Sequence, residues 1–365
     1  MTAAHTRPLA DLRAADEPRF GGKSTSLGEL IAGGIPVPPG FAVATSAFHA
    51  FVAGGGIEDR IAAALEHARG RDVQAVQAAA EEIRAAVAAT PVPEAVRAEI
   101  AERYAALAAQ TGGDPEVPVA VRSSAVGEDS GEATFAGQQE TYLWVRGADG
   151  VCDAVRDCWA STYSAPAITY RARMAAGRAP EMGVTVQLMV DAAVSGVMFT
   201  CNPMSGDPSI VAVNASWGLG LGVVGGEVTP DEYLLSKVTG EVVREQISAK
   251  HIEYRPAPGG RRTECVAVED ERQSAPSLDP GALAALLDVA RRVQRYFGSH
   301  QDVEWAIARG AEPPDALFVV QSRPVTATGA APKEEQAPAA GSALSMVMGT
   351  FGVGKPGGTE RPRES

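Results

Sequence analysis

At Thr111-Gly112-Gly113-Asp114-Pro115 the texture of the chain changes, and this change constrains the fold more than any other feature. Before it, from about Glu58 to Gln110, Ala-rich sequence runs with helical spacing. Thr90-Pro91-Val92-Pro93 breaks that run into two or three helices, because proline lacks an amide and clashes with the preceding turn. After it come short β-rich runs. Alternation of apolar and polar residues predicts strands at 117–121, 140–145, 184–190, 196–200, 210–214, 232–236, 303–307 and 317–321. Helices are predicted near 151–174 and over Pro280–Phe297. This mixture lacks a regular strand–helix–strand beat, so it predicts α+β layers rather than a doubly wound sheet. The predicted organisation is a helical and loop part over 1–113, a β-rich part over 114–327 and a flexible tail over 328–365. That tail is rich in Ala, Pro, Gly and Glu, with a more apolar stretch at 344–351. Ahead of the Ala-rich run, a Gly/Ser-rich loop leads into a short predicted helix at 26–32 and a turn, Gly33-Gly34-Ile35-Pro36-Val37-Pro38-Pro39-Gly40.

The chain has 365 residues, enough for an ample core. A net charge of −13 argues against binding nucleic acid through a broad basic surface, but leaves room for a local basic site that holds an anionic substrate. No apolar run reaches the length of a membrane span, and Met1-Thr2-Ala3-Ala4-His5 lacks a secretory apolar segment. The four cysteines, Cys152, Cys158, Cys201 and Cys265, show no zinc or redox spacing. The expectation is a reduced, cytoplasmic protein.

Chemistry concentrates in Gln301-Asp302-Val303-Glu304-Trp305 and Val320-Gln321-Ser322-Arg323-Pro324. Side chains two apart on a strand leave the same face, so Asp302 and Glu304 share one, as do Gln321 and Arg323. If the strands are neighbours, two carboxylates, an amide and a guanidinium converge. Two readings fit equally: an exposed, salt-bridged hairpin face, or a site for Mg²⁺ carrying a phosphate chain.

Other motifs are tested by their context. Gly21-Gly22-Lys23-Ser24 resembles the end of a P-loop, but Glu17 stands where that motif needs its first glycine, and no strand leads in. Lys23 is then either a solvated lysine near a helix start or a phosphate contact. Gly220-Leu221-Gly222-Val223-Val224-Gly225 matches the dinucleotide fingerprint by letter, but turn residues and a strand follow where a helix is required. Arg122 is expected at the end of a strand, reaching a phosphate or pairing with Glu128 or Asp129. Small residues around Gly137 would let backbone amides approach an anion. None of the five histidines lies in a Gly/Ser loop suited to phosphorylation, and no nucleophile is assigned.

Together the segments resemble one family. Gly21-Gly22-Lys23-Ser24 with Leu27-Gly28-Glu29-Leu30, and Gly34-Ile35-Pro36-Val37-Pro38-Pro39-Gly40-Phe41, are similar to the opening of phosphoenolpyruvate synthase and pyruvate phosphate dikinase. Val121-Arg122-Ser123-Ser124-Ala125, Phe135-Ala136-Gly137-Gln138, Ser195-Gly196-Val197-Met198-Phe199-Thr200, Gly226-Glu227-Val228-Thr229-Pro230-Asp231 and Gln321-Ser322-Arg323-Pro324 follow in the family's order. The resemblance implies an ATP-grasp-like, two-lobed nucleotide-binding domain that uses ATP and Mg²⁺. Carried over by motif, Lys23 and Arg122 would hold phosphates, and Glu304 and Gln321 would bind Mg²⁺, supported by Asp302. Arg323 would neutralise the transferred phosphoryl group. The loop from Thr134 through Gly137 to Gln138 would cover the phosphates, and Gln187, Met189 and Val190 would line the adenine.

Two departures stand out. Leu221 replaces a glutamate usual in that block, and the chain stops before the family's phosphohistidine domain and substrate barrel. The resemblance therefore implies one component of a split phosphotransferase similar to phenylphosphate synthase. ATP would be cleaved to AMP and phosphate, and the β-phosphoryl group passed to a histidine on a separate partner protein. A non-catalytic nucleotide-binding module and a stand-alone small-molecule or antibiotic kinase are the alternatives.

Overall fold

The computed structural model describes residues 4–70, 72–127, 140–173 and 181–325. Among the described residues, thirteen strands form two antiparallel sheets and a hairpin. The strands are β1 (Thr6–Pro8), β2 (Gly40–Val43), β3 (Val119–Ala125), β4 (Thr141–Val145), β5 (Met182–Leu188), β6 (Ala192–Phe199), β7 (Ile210–Trp217), β8 (Asp231–Ser236), β9 (Val242–Gln246), β10 (Ile252–Pro256), β11 (Thr263–Ala267), β12 (Gln301–Ala308) and β13 (Leu317–Pro324). The five-stranded sheet runs β1-β2-β5-β3-β4, the six-stranded sheet β13-β12-β6-β7-β8-β9, and β10 pairs with β11. The helices are α1 (Glu17–Phe20), α2 (Gly22–Ala32), α3 (Thr45–Gly54), α4 (Glu58–Ala68), α5 (Val73–Ala89), α6 (Glu94–Gln110), α7 (Ala148–Ser161), α8 (Ala165–Arg173), α9 (Leu221–Val224), α10 (Asp270–Gln273) and α11 (Pro280–Phe297). The class is α+β, as the sequence texture predicted.

Local chemistry sets several of these elements. Asp279 caps α11, its carboxylate accepting the Ala282 amide, with Pro280 in the first turn and Gly298 left-handed at φ 68° beyond the end. Leu283, Leu286, Leu287, Ala290 and Val293 recur at helical spacing and form its buried face. Asp72 caps α5 through the Ala75 amide. Thr90-Pro91-Val92-Pro93 does separate α5 from α6.

Each sheet buries one face. Val119 and Val121 of β3, with Val184 and Val186 of β5, pack with α3 to α7, centred on Phe48, Ile83 and Trp159. Val303, Trp305 and Ile307 of β12, with Val211 and Val213 of β7, pack against α2 and α11. Alternation therefore turns Arg122 and Ser124 of β3, and Asp302, Glu304 and Ala306 of β12, to the opposite faces.

The sequence-based boundary at 113/114 passes through the five-stranded sheet: β2, from before it, pairs with β5, from after it. The region predicted as helix and loop also contains β1, β2 and α3. The tail expected beyond 327 lies outside the described residues.

Candidate functional site

β12 and β13 are antiparallel neighbours. Asp302 stands opposite Arg323, and Glu304 opposite Gln321. The four side chains thus share one face of the six-stranded sheet. Arg323 Nε donates to Asp302 Oδ2 at 2.8 Å. Asp302 is 6% exposed, and its Oδ1 is buried without a hydrogen-bond partner. Desolvation raises the Asp302 carboxyl above the usual carboxylate range, with Arg323 opposing the rise.

The second sheet reaches the same spot. Arg122 Nη2 donates to Glu304 Oε2 at 3.2 Å, and Nη1 to the Val320 carbonyl at 2.8 Å. The register of β12 with β13 shifts between Glu304 and Trp305, leaving Val320 as the extra residue. Arg122 lies inside β3 rather than at a strand end, paired with Thr141 and Thr185 on either side. Its side-chain partners among the described residues belong to the other sheet, and Glu128 and Asp129 lie outside those residues.

Lys23 enters from the first turn of α2, where Nζ donates to the Ser123 carbonyl at 3.4 Å, one residue from Arg122. The sequence placed the start of this helix at 26; it begins at Gly22, so Lys23 is helical. Gly21 makes that possible. It has φ 77°, and a Cβ there would lie 2.0 Å from the Ser124 carbonyl oxygen. α2 joins both sheets: Ser24 Oγ lies 2.7 Å from Thr185 Oγ1 of one, and Ser26 Oγ donates to the Ser322 carbonyl of the other at 2.7 Å.

The chain crosses between the sheets just after β5. Gln187 lies in β5, its amide donating to the Pro38 carbonyl at 3.3 Å. Met189 and Val190 fall in the connection to β6, not in a strand, and pack with Trp144, Leu219, Ala306 and Tyr254. Tyr254 comes from the β10–β11 hairpin, which the sequence reading missed although Pro258-Gly259-Gly260 marks its turn. Leu221 opens the four-residue α9 at 41% exposure. A strand follows this turn of helix, so the dinucleotide fingerprint is not realised. Thr134, Gly137 and Gln138 lie outside the described residues.

The site therefore offers an apolar slot at the crossing between sheets, with two carboxylates, an amide and three cationic side chains beside it. Glu304 and Gln321 present oxygens suited to a hard divalent cation, and the orphaned Oδ1 of the buried Asp302 fits a further interaction at the same place. The cations suit a polyanionic chain.

Among the described residues, no helix is long and apolar enough to cross a membrane. The family described as "Pyruvate phosphate dikinase, AMP/ATP-binding domain" matches residues 17–342. A probable phosphoenolpyruvate synthase of Methanothermobacter thermautotrophicus is 42% identical over 317 residues, covering 87% of this chain and 45% of that protein. A phosphoenolpyruvate synthase of Aeropyrum pernix is 38% identical over 360 residues, covering 90% of this chain and 44% of its own. A rifampicin phosphotransferase of a Streptomyces species is 37% identical over 329 residues, covering 90% of this chain and 36% of its own. The chain thus spans less than half the length of these relatives. On these matches, the chain belongs to the pyruvate phosphate dikinase AMP/ATP-binding domain family.

Proposed function

We propose that this chain is the ATP-binding component of a dikinase-type phosphotransferase and that its two sheets form an ATP-grasp-like clamp. The observation that carries this reading is the meeting of Arg122 from one sheet with Glu304 from the other, beside Gln321 and Arg323. Met189 and Val190 border the adenine in the apolar slot. Lys23 and Arg122 hold the phosphates, and Arg323 neutralises charge on the group in transfer. Glu304 and Gln321 would hold Mg²⁺, which when bound neutralises phosphate charge and orients the chain. Phosphoryl transfer draws most of its catalysis from positioning and charge neutralisation, which matches a site rich in fixed cations and oxygen ligands and without an assigned nucleophile.

In the proposed reaction AMP leaves, the β-phosphoryl group passes to a histidine of another domain or a separate protein, and the γ-phosphate is released to water. The final acceptor is pyruvate, a phenol or another small hydroxyl compound. The similarity to a rifampicin phosphotransferase supports keeping antibiotics among these acceptors.

The test is a calorimetric titration of the chain with ATP in Mg²⁺, with Glu304→Ala as control. Saturable binding that weakens at least tenfold in the variant supports the reading. AMP formation and label transfer from β-labelled ATP to an added phosphohistidine domain test the chemistry. Wild-type protein that binds no ATP sinks the proposal.

A further inference from the structure

The β10–β11 hairpin is attached to the six-stranded half and reaches the five-stranded half. Midway along β10, Tyr254 forms an isolated bridge with Gly218, just past β7, and its carbonyl accepts the Leu219 amide at 2.8 Å. The approach is close: Gly218 has φ 73°, and a Cβ there would lie 2.3 Å from the Tyr254 carbonyl oxygen. The Tyr254 side chain joins the apolar slot with Met189, Val190, Leu219 and Trp144, and its hydroxyl donates to Glu227 Oε2 at 2.6 Å. The hairpin tip lands on the other half. Arg146, just beyond β4, donates from Nε to the Gly260 carbonyl at 2.8 Å and from Nη1 to the Glu116 carbonyl at 2.7 Å. Arg261 Nη2 donates to Glu116 Oε2 at 2.8 Å.

The β4 side of that slot is strained. Trp144 has φ 60°, the one left-handed conformation outside glycine among the described residues. For a bulky side chain this is costly, and it persists where the surroundings over-determine it, most often at a working site. The register of β4 with β3 shifts here, so Leu143 and Trp144 both stand opposite Ala120, and both line the slot. Arg146 follows two residues on. The contact that holds the hairpin tip therefore also fixes how Tyr254 meets Trp144. β10 and β11 form a two-stranded sheet of their own, and such a hairpin is marginal without outside contacts. Its tip is held by an exposed ion pair, with Arg261 at 69% and Glu116 at 51% exposure, and a pair of this kind opens at small cost.

We propose that the β10–β11 hairpin is a strap across the apolar slot, and that Arg146, Glu116 and Arg261 are positioning residues that hold it down and set how long a bound nucleotide stays. They act through Tyr254 and Trp144 and touch no substrate. This rests on the nucleotide reading and adds to it a control over release.

Release is measured by stopped flow. ATP and AMP carrying a fluorescent methylanthraniloyl group are bound in Mg²⁺ and chased with excess ATP. The proteins are the wild-type chain, Arg261→Glu, and Arg261→Glu combined with Glu116→Arg, each checked for folding by urea denaturation. Arg261→Glu sets two carboxylates against each other at the tip and should release both nucleotides about fivefold faster, with little change in unfolding free energy because the pair is exposed. The double variant keeps the net charge of the wild type and restores opposite charges, so its release should return to within about twofold of wild type. Should Arg261→Glu fail to fold, Arg261→Gln, which removes only the charge, decides by the same readout. Unchanged release from the folded variant overturns the strap and leaves the nucleotide reading standing. Faster release that the charge swap does not restore also overturns it, as does acceleration of the ATP derivative alone, which would mark a field acting on the phosphates. Absence of any nucleotide binding by the folded wild type defeats the nucleotide reading and the strap with it.

Discussion

Arg122 and Glu304 are 182 residues apart in sequence, yet Arg122 Nη2 lies 3.2 Å from Glu304 Oε2, bridging the five-stranded and six-stranded sheets. Both side chains are mostly buried, at 14% and 23% exposure. The guanidinium is further fixed by the Val320 carbonyl, so it cannot follow Glu304 freely. A cation thus already lies against the carboxylate proposed to hold Mg²⁺, and metal-bound phosphates would share Arg122 between Glu304 and their own oxygens.

From that pairing, Arg122→Ala should weaken Mg²⁺–ATP binding at least tenfold, because a phosphate ligand is lost. Its cost in unfolding free energy should be about 1–3 kcal/mol, since Glu304 and the Val320 carbonyl lose a donor in a mostly buried place. Calorimetry and urea denaturation separate the two effects. A loss of several kcal/mol with unchanged ATP affinity would make Arg122 a brace between sheets and not a ligand.

Asp302 gives a pH signature. Burial raises its carboxyl above the ordinary 3.8, so the folded protein keeps the proton over a range where the unfolded chain has lost it. Stability then falls as pH rises from the ordinary value through the raised one, and levels off above. Asp302→Asn removes this dependence. The variant's stability relative to wild type should climb across that window and hold constant beyond it, while Mg²⁺–ATP affinity drops. Urea titrations from about pH 3.5 to about pH 8 measure it. A difference that does not change with pH would rule out the buried, proton-retaining Asp302.

Legibility in the sequence followed locality. Pro280–Phe297 was readable to its ends because its cap, first-turn proline and terminal glycine are adjacent in sequence. The facing of Asp302 and Glu304 was readable because strand alternation is a local rule. β9 was missed, since all five of its residues are exposed and no apolar alternation marks it. β1 is three residues long and exists only through pairing with β2. The start of α2 was misplaced because Gly21-Gly22 reads as loop, whereas the missing side chain at Gly21 serves a close approach to the Ser124 backbone, far along the sequence. The left-handed Trp144 gave no signal, because the bulge that holds it depends on pairing with β3.

Gly21 tests that tertiary origin. Its φ of 77° disfavours any side chain, and a Cβ would sit 2.0 Å from a backbone oxygen that has no room to retreat within β3. Gly21→Ala should cost about 2 kcal/mol or more in unfolding free energy. It should also weaken ATP binding, because Lys23 is carried by the same turn. Near-wild-type stability in a denaturant melt would show that α2 can shift without penalty, and the close approach would then be dispensable.

The last prediction concerns Asp231, the first residue of β8. Asp231 and Lys250 are both fully buried and paired at 2.6 Å. Asp231 Oδ1 also accepts the Ser248 amide, and Oδ2 accepts the amide and hydroxyl of Ser277. One carboxylate thus ties two segments, the stretch of Ser248 and Lys250 and the turn at Ser277, to the start of β8 and fixes the facing of Glu232 beside it. Lys250→Ala would leave that carboxylate buried without its counter-charge, at a cost of about 3–5 kcal/mol. Lys250→Met combined with Asp231→Leu removes both charges and should recover part of the loss, although the Ser248 and Ser277 donors then go unmet. Denaturant unfolding of the single and double variants reads the difference. A single variant that loses less than about 1 kcal/mol would mean water or a neighbouring cation replaces Lys250, and the lock on β8 would lie in the serine contacts alone.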